Sequence, residues 1–275
     1  MQDDGMELIA TSRGFARRID GGVALLDLPH PGPLELLLDT GGLDAAGHAA
    51  VRAEVAAEDL VVLPAFGATR QVWGVGLNYH AKARAAGRDV PTDPILFLLP
   101  SSVVAPPGAD VTIPAGAEVD YEGELALVVG RAAWQLDEAR AWDHVAGITA
   151  ANDVTARDLM RATRNALLGK GAPASKPFGP GVRTLEGLDR DRLTVCTHLD
   201  GELVQDGATD DLIFAVPELL ARLSRHVVLR PGDVVLTGAP PGTGQDRGHL
   251  AGPGALVEVR VADALPLVSR LAATV

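Results

Sequence analysis

Short apolar runs punctuated by Gly, Pro and Asp recur along this chain, and they predict short strands with scattered short helices. Residues 1–66 read as strands and turns, GFARRIDGGVALLDL and then PHPGPLELLLD, with one helical piece, GLDAAGHAAVRAEVAAEDL. VVLPAFGATRQVWGVGLNY opens the main body with a strand, and Asn78 before YHAKARAAG reads as the cap of a short, lid-like helix ended by Gly87. DPILFLLPSSVVAPPGADVTIP suits short strands and loops; an acidic strand over 118–130 and a buried strand, HVAGITAANDV, follow it. Thr155 and Asp158 then have the spacing of a capping box opening a helix. LTVCTHLDGELVQDG is a hairpin about an Asp-Gly turn, VPELLARLSRHV an amphipathic helix, and GALVEVRVADALPLVSRL returns to strands. The pattern predicts a mixed, mainly β architecture: a small N-terminal α+β domain over 1–66 and a larger domain with short helices over 67–275.

The acidic strand carries the strongest chemical signal. Residues i and i+2 of a strand point the same way, so Glu118, Asp120, Glu122 and Glu124 share one face. Two like charges about 4 Å apart cost roughly 4 kcal/mol at an effective dielectric of 20, so a partly buried cluster has to be protonated, paired or metallated. With LALVV directly following, and Asp153 at the end of the next strand, Glu122, Glu124 and Asp153 call for a divalent cation. Glu118 and Asp120 read more simply as a solvated face.

Composition narrows the function classes. A formal charge of -12 opposes binding to phosphate backbones, which excludes nucleic acid as the expected partner. One cysteine, Cys196, rules out an intramolecular disulfide and a multi-cysteine metal site. The start MQDDGMELIA lacks the features of a signal peptide and no apolar run reaches the roughly 18 residues of a membrane span, so a soluble, cytoplasmic protein is expected. Of the 24 basic residues only Lys82, Lys170 and Lys176 are lysines. Lysine can lose its proton when buried and arginine effectively cannot, which makes each of the three a better catalytic candidate than usual.

The run GVGLNY, the strand DYEGELALVVG, GITAANDVTARDL, Gly169-Lys170 followed by Gly179-Pro180, DGELVQDG and LRPGDVVLTGAPPGTG resemble, in order and spacing, the fumarylacetoacetate hydrolase family over roughly residues 70–265. The resemblance implies a rolled, mixed β-sandwich catalytic domain, a homodimer, and an enzyme acting on 2-oxo or β-diketo acids through a metal-stabilised enolate. C–C hydrolysis or decarboxylation is the reaction expected; tautomerisation or isomerisation, water addition or lyase chemistry on an unsaturated 2-oxo acid, and a metal-binding protein of low activity are the alternatives. Carried over, the metal ligands fall on Glu122, Glu124 and Asp153, with Mg²⁺ expected and Mn²⁺ or Ca²⁺ as alternatives, and the active-site lysine falls on Lys170. Gln205, Thr237, Gly238 and Ala239 match substrate-contacting positions, and Arg157 is a candidate carboxylate clamp or partner of Asp153.

The chain departs from the family pattern at the lid. Members with hydrolytic chemistry show NY-x-x-H-x-x-E, a His and Glu one helical turn apart; counting from Asn78, these positions hold Lys82 and Ala85. His80 is displaced by two residues, about 200° around a helix. Lys82, or a repositioned His80, is therefore the expected proton-transfer group. A second departure places Ala174 and Ser175 where the family has a threonine.

Overall fold

A computed structural model describes residues 5–28, 34, 37–38, 42–66, 70–112 and 115–272. The architecture is mixed and mainly β, as the apolar runs predict. A ten-stranded sheet runs in the order Val51–Val55, Gly22–Leu26, Gly14–Ile19, Glu7–Thr11, Gly181–Arg183, Val145–Asn152, Gly123–Val129, Val234–Leu236, Val72–Gly76, Ile95–Leu99. The strand Glu7–Thr11 thus joins the sheet antiparallel to Gly181–Arg183, with Leu8 opposite Val182. A five-stranded sheet, Glu202–Ala208, Thr194–Leu199, Leu256–Val261, Leu267–Ala272 and Asp110–Thr112, packs against it.

The strand Gly123–Val129 is buried along its whole length because both of its faces are covered. Leu125, Leu127 and Val129 enter the core shared with Val195, Val257, Val259 and Leu267 of the smaller sheet. Ala126 and Val128 point the other way, into a second core with Leu8, Phe66 and Phe178. The acidic strand expected over 118–130 is two pieces, Val119–Asp120, paired with Thr155–Ala156, and Gly123–Val129; Glu124 has the parity of this second face, and Glu122 lies in the two-residue break just before it.

The hairpin turns at Asp200 (φ +50°) and Gly201 (φ +87°), two consecutive left-handed residues that match strand twist. The amphipathic helix is Val216–Ser224, with Leu219, Leu220 and Leu223 inward.

Three local expectations need correction. The predicted helix over GLDAAGHAAVRAEVAAEDL is α-helical only at Gly42–His48, with a single 3-10 turn at Ala57–Asp59; Val51–Val55 between them is a strand paired with Gly22–Leu26, its half-exposed pattern fitting a sheet edge. Asn78 does not cap the helix His80–Ala85: its buried amide donates to Phe214 O and Thr237 O and accepts the Phe214 N–H. Thr155 and Asp158 form no capping box, since Thr155 lies in a short strand and Asp158 accepts the Glu118 N–H at 3.0 Å. PHPGPLELLLD lies largely outside the described residues. Among the described residues no helix is long and apolar enough to cross a membrane.

Candidate active site

Strand register assembles the acids. Gly123 lies opposite Asn152 and Glu124 opposite Ala151, so Asp153, one residue beyond its strand, falls beside Glu122. The Asp153 N–H donates to Glu122 O at 2.8 Å, and Asn152 Oδ1 accepts the Glu122 N–H at 3.1 Å. Glu122, Glu124 and Asp153 are all buried, and one carboxylate oxygen from each lies within 4.8 Å of the others. Gly123 permits this approach of the two sheets, because a Cβ there would stand 1.8 Å from Thr197 Oγ1.

Buried carboxylates need compensating charge. Arg157 donates through Nε to Asp120 Oδ2 at 2.8 Å and through Nη2 to Glu122 Oε1 at 2.6 Å, so its partners are these two acids and not Asp153. Asp120 is fully buried and also accepts the backbone N–H groups of Gly244 and Gln245 at 2.7 and 3.0 Å. It anchors Arg157; the solvated reading holds only for Glu118, an exposed partner of Arg161. Lys170 ends the helix Ala166–Lys170, and its ammonium donates to Glu122, to Asp153 Oδ2 at 2.5 Å and to Thr155 Oγ1 at 2.8 Å.

Burial opposes ionisation of Glu122, but Arg157 and Lys170 outweigh it and hold the carboxyl well below its usual range. Glu124 goes the other way: burial, then Asp153 and Glu122, push it well above that range, even though Gly238 N–H donates to its Oε2 at 2.8 Å. Burial also disfavours the charge on Lys170, yet Asp153, Glu122 and Glu124 prevail and keep it protonated.

Lys176 is a site residue that motif reasoning passed over, although its rarity singled it out. It is fully buried, donates to Val154 O and Ser175 Oγ, and faces Asp153 Oδ1 at 3.4 Å as an ion pair; burial pulls its ammonium down to about 8. Asp153 Oδ1 is buried and accepts no aligned hydrogen bond, Lys176 Nζ facing it as an ion pair. An all-carboxylate oxygen set with one such buried oxygen fits a hard divalent cation, held by Glu122, Glu124 and Asp153.

Glu122 and Glu124 open onto a cavity of about 440 Å³ whose wall includes Phe97, Met160 and Ile95, with Lys170 and Arg157 beside the acids. Lys82 reaches this cavity from the helix His80–Ala85; its Nζ is buried, 3.3 Å from Asp246 Oδ2 and without an aligned hydrogen bond. His80, half-buried at the start of the same helix, does not line the cavity. Gln205 lies behind it, with Oε1 accepting the Gly123 N–H at 2.9 Å and Nε2 donating to Pro240 O at 3.0 Å. Thr237 donates its hydroxyl to Leu125 O, and Gly238, at φ +95°, spends its N–H on Glu124; of that loop Ala239 lines the cavity.

These features define a mixed, mainly β fold with three buried carboxylates grouped where they could hold a divalent cation. The fumarylacetoacetate (FAA) hydrolase C-terminal family model matches residues 71–273, and the chain belongs to the fumarylacetoacetate hydrolase family. It is 40% identical over 174 residues to the human mitochondrial oxaloacetate tautomerase FAHD2A, a match covering 62% of this chain and 55% of that protein. The matched region thus spans about half the length of this curated relative. A 5-carboxymethyl-2-hydroxymuconate delta-isomerase from Mycobacterium smegmatis superposes with a TM-score of 0.78 at 28% identity, covering 98% of each chain. A fumarylpyruvate hydrolase from Pseudomonas aeruginosa, solved with Mn²⁺ and pyruvate, gives a TM-score of 0.67 at 30% identity over 75% of this chain and 91% of its own.

Proposed function

We propose that this protein is a divalent-cation-dependent enzyme that interconverts the enol and keto forms of a 2-oxo acid. The observation that carries this reading is the pairing of the Glu122, Glu124 and Asp153 cluster and protonated Lys170 with a lid that presents Lys82. A cation held by the three acids supplies Lewis acidity toward the keto and carboxylate oxygens of such a substrate. Hydrolysis of a C–C bond additionally needs a base to activate water. No histidine lines the cavity among the described residues, and its two lining carboxylates belong to the cation cluster. Tautomerisation asks less: one proton delivered to carbon and one lost from the enol oxygen.

Lys82 is the donor to carbon, since its Nζ reaches the cavity wall without a fixed hydrogen bond. Lys170, held protonated by its acids, acts as a fixed positive charge that favours the developing negative oxygen. Arg157 keeps Glu122 oriented. The names of the human tautomerase and the mycobacterial isomerase support this reading, and Mg²⁺ or Mn²⁺ is the proposed ion.

The test is ultraviolet monitoring of the enol-to-keto change of oxaloacetate and acylpyruvates with and without Mg²⁺ or Mn²⁺, with products identified by mass. Cation-dependent acceleration without mass change is expected. Loss of CO₂ or gain of water faster than tautomerisation would replace this reading with decarboxylation or hydrolysis. The absence of any cation-dependent reaction would remove the enzyme assignment.

A further inference from the structure

The cations around the cavity fall into two groups. The inner ones are matched by acids: Arg157 by Asp120 and Glu122, Lys170 by Glu122 and Asp153, Lys82 by Asp246. Two more arginines, Arg88 and Arg164, line the same cavity, and neither side chain pairs with an acid among the described residues. Each sits outward of an inner cation on the same stretch of chain. Arg157 opens the helix Arg157–Thr163 and is 5% exposed, whereas Arg164 follows its end and is exposed. Seven residues separate the two, roughly 10 Å along a helix axis at 1.5 Å per residue. Lys82 and Arg88 repeat the arrangement on the lid, with Lys82 half-buried and Arg88 exposed just after Gly87.

Both mounting points are fixed, while the guanidinium ends engage no hydrogen-bond or ion-pair partner among the described residues. Arg88 N–H donates to Ala83 O at 3.0 Å, and Gly87 turns at φ +60° before it. Arg164 caps its helix in the left-handed region at φ +53°, with its N–H on Met160 O at 2.8 Å. The apolar side chains of Ile95, Phe97 and Met160 line the same cavity. Such a wall suits the carbon chain of a ligand, and an unmatched guanidinium suits a carboxylate, which it can hold with two parallel hydrogen bonds.

We propose, on the foundation of the 2-oxo acid reading above, that Arg88 and Arg164 bind the distal carboxylate of a dicarboxylic substrate and so set a preference for two-carboxylate over one-carboxylate 2-oxo acids. The 2-oxo carboxylate end is taken by the inner cluster and the far carboxylate by the outer arginines. The two arginines therefore determine specificity through substrate binding and stand apart from the proton-transfer step.

The experiment compares the wild-type chain, Arg88→Gln, Arg164→Gln and the double variant, all with Mn²⁺. Tautomerisation of oxaloacetate, with two carboxylates, is measured against that of acetylpyruvate, with one. Each single variant is expected to raise KM for oxaloacetate about tenfold with kcat changed less than about threefold, as for loss of one charge-assisted contact, while acetylpyruvate kinetics stay put. Equal losses on both substrates, or no change on oxaloacetate, would overturn the proposal. A second readout does not need turnover: malate, a non-reacting dicarboxylate, is expected to raise the melting temperature of the Mn²⁺-loaded wild type more than lactate does, and the double variant to lose that excess. Loss of the malate excess without any turnover of 2-oxo acids leaves the arginine assignment standing and removes the reaction assignment. Retention of the excess in the double variant overturns the arginine assignment whatever the turnover.

Discussion

Lys170 and Asp153 meet at 2.5 Å in a buried ion pair, and the same ammonium also holds Glu122. The lysine therefore serves two of the three acids at once. Lys170→Met removes the charge that favours negative oxygen on the substrate, and a loss of about 10²-fold in kcat is expected, the usual size for one such stabilising group. Mn²⁺ affinity, followed by calorimetry, should not weaken in this variant, because a competing positive charge has been removed. Weakened Mn²⁺ binding with normal kcat at saturation would show that Lys170 shapes the cation site and does no more.

The acids themselves should carry cation binding. Glu124→Gln keeps an acceptor for Gly238 N–H but removes one of the three carboxylates. Thermal unfolding with and without Mn²⁺ measures the effect. A ligand present at 100 times its Kd stabilises the folded state by about 2.7 kcal/mol, and this increment should largely disappear in the variant. An undiminished Mn²⁺ shift would place the cation elsewhere.

The lid offers a direct contrast between two neighbours. Lys82 lines the cavity and His80 does not. Lys82→Met is expected to lower kcat by at least about 10²-fold, the lower end for loss of a general acid, whereas His80→Ala should stay within about twofold. The reverse ranking, measured on the same substrate, would give the proton-transfer role to His80.

The strands of the main core, the hairpin and the helix Val216–Ser224 were legible because each is decided by neighbours within a few residues. So was the cluster, since parity along the expected strand groups Glu122 with Glu124. What the sequence hid are choices that a side chain makes between local and distant partners. Asn78 and Thr155 have the composition of helix caps, yet Asn78 serves Phe214 and Thr237 from across the fold, and Thr155 bonds Asp153 O and receives Lys170. Asp120 looked solvated because Arg157 and the backbone of Gly244 come to it from remote segments. Val51–Val55 looked helical because this short, partly exposed edge strand is flanked on both sides by Ala-rich sequence that favours helix.

A final consequence of burial lies far from the cavity, at Glu7. Its carboxyl is 2% exposed, accepts the Leu265 N–H at 2.7 Å and faces Arg18 at 3.0 Å. Burial outweighs both partners and raises it from 4.5 to about 7. The folded chain therefore holds a proton on Glu7 at pH values where the unfolded chain has released it. The resulting contribution to stability is fully present below about pH 4.5, falls as pH rises, and is gone above about pH 7. At 1.36 kcal/mol per unit the total is on the order of 3 kcal/mol. Glu7→Gln keeps an acceptor for Leu265 and cannot ionise, so denaturant unfolding at pH 5 and pH 8 should show the wild type losing stability relative to the variant by up to that amount. Parallel changes in the two proteins would mean that Glu7 ionises in the folded state as it does in the unfolded chain.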